Sequence, residues 1–120
     1  MIRLENVVSD RGSRYAVSGG LVDGRAGVDA FLRDLKRQKK YAKATHNSWA
    51  AILTGEGPVR NDDGESGAAA VIVKMLEREG LTDCVVVVTR WYGGVHLGGD
   101  RFAHVVTCVR AFLEEWRKAG

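Results

Sequence analysis

Residues 84–116 constrain the fold more than any other part of this sequence. They open with Cys84-Val85-Val86-Val87-Val88-Thr89. Four consecutive valines favour a strand, because β-branched side chains fit the pleat and lose χ1 freedom in a helix. A continuous apolar run, instead of an alternating one, predicts a strand with little water on either face. A loop of aromatics and paired glycines follows, Arg90-Trp91-Tyr92-Gly93-Gly94-Val95-His96-Leu97-Gly98-Gly99. Beyond it Phe102, Val105, Val106, Val109, Phe112, Leu113 and Trp116 recur at three- and four-residue steps. That period makes one apolar stripe on a helix. Asp100 is placed to cap this helix, at the positive end of its dipole.

The rest of the chain supplies partners for this unit. Residues 2–8 and 13–22 read as strands joined by the turn Asp10-Arg11-Gly12. A helix is predicted over residues 27–41, with Val28, Phe31, Leu32 and Leu35 as its buried stripe. Residues 43–54 read as a strand closed by Gly55-Glu56-Gly57-Pro58. A second helix follows, capped by Ser66, faced by Ala68, Val71, Ile72, Met75 and Leu76, and stopped at Gly80. The order ββαβαβα predicts an α/β protein of the α+β, two-layer kind, a single domain over residues 1–120 with a mixed sheet and helices on one face. One-sided cover leaves alternate valines of the central strand pointing away from the helices. That geometry predicts an apolar patch covered by Trp49 or by a partner.

Composition narrows the function classes. The 120 residues suffice for one domain with a real core. No apolar run approaches the roughly 20 residues of a membrane helix. Met1-Ile2-Arg3-Leu4-Glu5-Asn6 does not read as a signal peptide. A cytoplasmic, reducing home is the expectation, with Cys84 and Cys108 as core thiols and not as zinc ligands. A net charge of +3 is too small to imply nucleic-acid binding by itself. The distribution says more: Arg33, Lys36, Arg37, Lys39, Lys40 and Lys43 crowd one stretch, and Glu56, Asp62, Asp63 and Glu65 crowd another. The basic run reads either as a solvated helix end that suits the dipole or as a patch for a phosphate backbone or acidic protein surface.

Three constellations bear on chemistry. The glycine loop has the spacing GG-x-x-x-GG and lacks GxGxxG or GKS/GKT, so a nucleotide cofactor is not expected. Asp62, Asp63 and Glu65, with His46, have the density of a hard-cation site or an acid–base pair, or form an ordinary acidic turn ahead of a helix. Arg90-Trp91-Tyr92 offers flat rings and a forked donor, as interface hot spots and base-stacking platforms do, or its rings pack on the core as loop aromatics.

The run from Val86 to Phe102 closely resembles the signature of the IMPACT family, shared in looser form with bacterial YigZ proteins. Arg90-Trp91-Tyr92-Gly93-Gly94 and the wording Leu97-Gly98-Gly99-Asp100-Arg101-Phe102 are similar to the eukaryotic branch. Ala44-Thr45-His46-Asn47 and Asp62-Asp63-Gly64-Glu65 match its two upstream motifs in order. The resemblance implies a fold like the second domain of ribosomal protein S-five and a non-enzymatic role in translational control. It further implies binding to the ribosome-associated activator of the eIF2α kinase of amino-acid starvation, and to actin, with RNA binding suggested for bacterial relatives. The RWD domain usual in eukaryotic members is not part of this sequence, so binding through it does not carry over. Ala68-Ala69-Ala70-Val71 and Ala51-Ile52 replace family positions that tend to hold Arg, which argues against an inherited nucleic-acid site.

The leading expectation is therefore a regulator that docks on a protein through Asp63, Glu65, Arg90, Trp91, Tyr92 and Arg101, or through the basic helix end. The alternatives are an RNA- or ribosome-binding module using residues 33–43, and a metal-dependent hydrolase built on Asp62, Asp63, Glu65 and His46.

Overall fold

A computed structural model describes residues 1–119. Along the chain run β1 (Ile2–Asp10), β2 (Ser13–Leu21), α1 (Gly24–Lys36), α2 (Lys39–Ala42), β3 (His46–Leu53), β4 (Gly57–Asn61), α3 (Ala68–Glu79), β5 (Cys84–Trp91) and α4 (Asp100–Ala119). The strands make one sheet in the order β1-β2-β5-β3-β4. The α+β class is as expected. The pairing corrects the mixed sheet, because every neighbouring pair is antiparallel. The β-α-β order does bring β2 and β3 into the same direction, but β5 lies between them and opposes both.

The layering is corrected too. Strand alternation sends Cys84, Val86 and Val88 into a core with Ile72 and Leu76 of α3 and Val105, Val109 and Phe112 of α4. It sends Val85 and Val87 into a second core with Val28, Phe31 and Leu35 of α1 and Tyr41 of α2. Helices thus cover both faces, in three layers. The valines of β5 are at most 3% exposed inside this single chain. No apolar patch waits there for a partner; α1, α2 and a partly buried Trp49 close that face.

Handedness explains why order alone misplaced α1. The β2–α1–β3 and β4–α3–β5 crossovers each skip one strand, in opposite directions along the sheet, between strands that point opposite ways. Half a turn in the plane of the sheet superposes the two paths. If both were right-handed, as such connections nearly always are, both helices would share a face. Their opposite faces mean that one crossover is left-handed.

Local departures have local causes. Gln38 is extended (φ −76°, ψ 120°) and splits the expected 27–41 helix into α1 and α2. β4 pairs with β3 where only a turn was expected. Pro58 fits there because β4 is an edge strand, where a missing N–H spoils no inner ladder. Gly80 ends α3 as expected, whereas Gly67, and not Ser66, is the residue before its first turn. Asp100 is the first residue of α4 and not its cap; its carboxylate takes a 2.5 Å bond from Arg11. Cys84 and Cys108 are free and buried, and burial pushes both thiols up to about 12.

Candidate functional site

The family-like motifs meet at one end of β5, and most of their charge is used inside the fold, on backbone donors or on one another. Asp62 serves α3. Its Oδ1 accepts the Ala69 N–H at 2.8 Å and its Oδ2 the Gly67 N–H at 3.1 Å. These donors open the helix and have no intrahelical partner, so Asp62 caps α3 from outside. Asp63 serves β3: its Oδ2 accepts the Asn47 N–H at 2.8 Å, and its backbone oxygen lies 2.8 Å from His46 Nδ1. Asn47 in turn joins Thr89 Oγ1 (2.7 Å) to the Tyr41 backbone oxygen (3.0 Å).

Glu65 serves β5. Its carboxylate and the Arg90 guanidinium are 7% and 6% exposed, with Arg90 Nη1 3.0 Å from both oxygens. Arg90 Nη2 also donates to Ser13 Oγ at 3.3 Å. A charge pair this dry must be well bonded to exist at all. Arg101, on the first turn of α4, adds a bond to the Ser66 backbone oxygen (2.8 Å) and lies 3.4 Å from Glu65. The acid of one loop therefore ties together β2, β5 and α4.

This geometry decides between the expected chemistries. The three carboxylates point at three different backbone or guanidinium partners and do not converge, which overturns the metal-dependent hydrolase built on Asp62, Asp63, Glu65 and His46. Among the described residues, no group of three or more His, Cys, Asp or Glu side chains is arranged to hold a metal.

The Arg90-Trp91-Tyr92 trio is also divided. Alternation turns Arg90 toward α3 and α4 and Trp91 toward the opposite face. There the Trp91 indole donates to the Lys40 backbone oxygen (2.9 Å) and packs edge-on against Tyr41. Tyr92 stays out, 42% exposed, its N–H held by Thr45 Oγ1 at 2.9 Å and its ring 5.6 Å from that of His96. Tyr92 and His96 overhang an open depression of about 440 Å³ whose floor includes Glu65, Arg90 and Arg101. Val95, 46% exposed, is a further large apolar residue on this loop. Sequence reasoning missed Ser13, Thr45 and His96 as members of this site. Only the position of His96 inside the glycine loop offered any signal.

The loop sits where it does because Gly93 touches the β1–β2 turn. A Cβ on Gly93 would lie 2.0 Å from the Gly12 carbonyl carbon, so no larger residue fits. The Gly93 N–H donates to Ser13 Oγ at 3.1 Å.

The basic run lies elsewhere, on α1 and α2. Arg37 pairs with Asp34 at 3.1 Å and Lys40 pairs with Glu5. Arg33, Lys36, Lys39 and Lys43 are exposed and, among the described residues, make no ion pair.

Comparison with known proteins gives this arrangement its relatives. The chain is 36% identical to a Caenorhabditis elegans protein called Protein IMPACT homolog over 95% of its own length. It is 35% identical to human Protein IMPACT over 90% of its length. It spans 47% and 35% of those two proteins, less than half of each. Among solved structures, a hypothetical protein superposes on 90% of the chain with a TM-score of 0.72 at 23% identity, a likeness of fold. The two-domain translational regulator Yih1 superposes on 87% with a TM-score of 0.56 at 31% identity, the chain covering 42% of it. Residues 11–113, which hold all three motifs, match the Impact N-terminal domain, and the chain belongs to that family.

Proposed function

We propose that this domain is a non-enzymatic docking module of translational control. It binds the activator protein of the starvation-responsive eIF2α kinase and so restrains that kinase. One observation carries the reading beyond kinship with a translational regulator. The motif charges are spent inside the fold, Glu65 on Arg90 and Arg101 and Asp62 and Asp63 on backbone N–H groups, and what remains outward is Tyr92 and His96 over an open depression, with Val95 exposed on the same loop. Exposed aromatics held on a rigid base are hot-spot material. In this reading Asp63, Glu65, Arg90 and Arg101 shape the surface, Trp91 braces it from behind, and Tyr92 makes the contact.

The test is association of the purified chain with the purified activator protein, with actin as a parallel probe. Tyr92→Ala should weaken the activator complex by about tenfold or more while the fold, checked by circular dichroism, is unchanged. Lack of association by the unaltered chain at micromolar concentration removes the proposal.

A second reading has its own support, the exposed Arg33, Lys36, Lys39 and Lys43, which make no ion pair among the described residues. They suit an RNA or ribosome surface. Affinity for single-stranded RNA should then fall with salt by about 0.7 log units per log unit of salt for each phosphate contact. A flat salt dependence removes it.

A further inference from the structure

On the face opposite the basic run, α3 and α4 leave a groove of about 420 Å³ between them. No motif residue lines it. Its floor is apolar: Val71 and Met75 from α3, Val106 and Leu113 from α4. Its rim is cationic. Lys74 and Arg78 stand one turn apart on α3, and Arg110 faces them from α4. All three are exposed and, among the described residues, make no ion pair. Of the two acids on the rim, Glu79 is already held by Arg117 at 2.6 Å. Only Glu114 remains to offset three cations.

We propose that this groove docks an acidic amphipathic helix of a partner protein, at a surface separate from the motif face. Residues 71–79 advance about 12 Å along α3 at 1.5 Å per residue, enough to seat two to three turns. A helix lying there would bury apolar residues at i, i+3/i+4 and i+7 against the floor. Its flanking carboxylates would meet Lys74, Arg78 and Arg110. Met75, unbranched and polarisable, adapts to differently shaped anchors. Apolar floor with polar rim is the anatomy of a protein interface. A phosphate backbone would neutralise the rim but has no apolar face for the floor. A second copy of this chain docked symmetrically would bring each cationic rim near its own image, and the like charges would repel.

The proposal is independent of what binds at Tyr92, and its test keeps the two apart. The probe is a labelled 14-residue peptide, about four turns long, with leucines on one helical face and glutamates on the other. Binding to the full chain is followed by fluorescence anisotropy, and its location by amide chemical-shift changes. The expected result is saturable binding with shifts centred on Met75, Arg110 and Leu113. A peptide of the same composition in scrambled order should bind about tenfold more weakly, since it loses the apolar face. Lys74→Glu with Arg110→Glu should lose binding to about the same extent, and a lysine-for-glutamate peptide should restore it. Tyr92→Ala should leave it unchanged. Equal binding of the scrambled peptide, shifts centred elsewhere, self-association through this face, or RNA displacing the peptide would each overturn the proposal.

Discussion

The acidic loop at 62–65 and the basic run at 33–43 are both dense charge clusters in the sequence, and the fold treats them in opposite ways. Asp62, Asp63 and Glu65 each accept hydrogen bonds from another element, and Glu65 is dry. Four of the six basic residues are exposed and, among the described residues, make no ion pair. The difference is one of position. The loop sits where β3, α3 and α4 begin and β5 ends, so unmet backbone donors and a buried guanidinium surround it. The basic run lies along the outer side of α1 and α2. Charge density therefore predicts a site poorly; what matters is how many unsatisfied groups the fold brings to it.

Five measurements break or sharpen that contrast. The largest effect belongs to Glu65. Glu65→Ala strands the buried Arg90 charge and should cost about 3–5 kcal/mol in urea unfolding. Replacing both partners, as Glu65→Leu with Arg90→Met, should recover most of that loss, because a buried pair and an apolar pair are often close in stability. If the double variant is no better than the single, the pair does more than satisfy itself.

Gly93→Ala comes next. Its Cβ has no room beside Gly12, and overpacking of this kind costs about 1–3 kcal/mol, visible as a lower thermal midpoint. Asp62→Ala removes an external helix cap and should cost about 0.5–2 kcal/mol. Hydrogen exchange should quicken first in the opening turn of α3.

The fourth is a pH effect at the tip of the β1–β2 turn. There Arg11, followed by the 2.7 Å contact with His104, holds the Asp10 carboxyl down at about 2, against an ordinary 3.8. A lowered carboxylate pKa means stability that is full above about 4 and fades as pH falls toward 2. Unfolding curves of the unaltered chain and Asp10→Asn should differ at neutral pH and converge below pH 2. A constant gap would show that Asp10 stabilises through packing and not through its charge.

The smallest effect is expected on the basic face. Lys36→Glu or Lys43→Glu should move stability by no more than about 0.5 kcal/mol, while any RNA affinity falls. A larger loss of stability would mean that those side chains have structural partners after all.

Much of the scaffold could be read from residue patterns. The valine strand, the α4 stripe and the stop at Gly80 rest on local periodicity and glycine chemistry, which act within a few residues. Expectations failed where the cause lay far along the chain. The side on which α1 packs depends on a crossover hand that no local pattern encodes. β4 is short and begins with Gly57-Pro58, so its strand character comes from pairing with β3. At the site, the motifs were found but their duties were not. The bonds of Asp62 to a helix starting six residues later, and of Glu65 to a strand 25 residues on, exist only once the sheet has formed. Trp91 was grouped with its neighbours, although a strand turns alternate residues to opposite sides.

Of the five strands in this sheet, the last in sequence is also the middle one. Until β5 arrives, the β1–β2 ribbon and the β3–β4 ribbon have no hydrogen-bonded edge in common. During translation, each would present bare backbone where β5 will later lie, and neither helical layer would have its central strand to rest on. Closure of so non-local a sheet is slow, and such intermediates are prone to aggregate. Chains cut short ahead of Cys84 are therefore expected to clump or be degraded, and not to persist as smaller folded products.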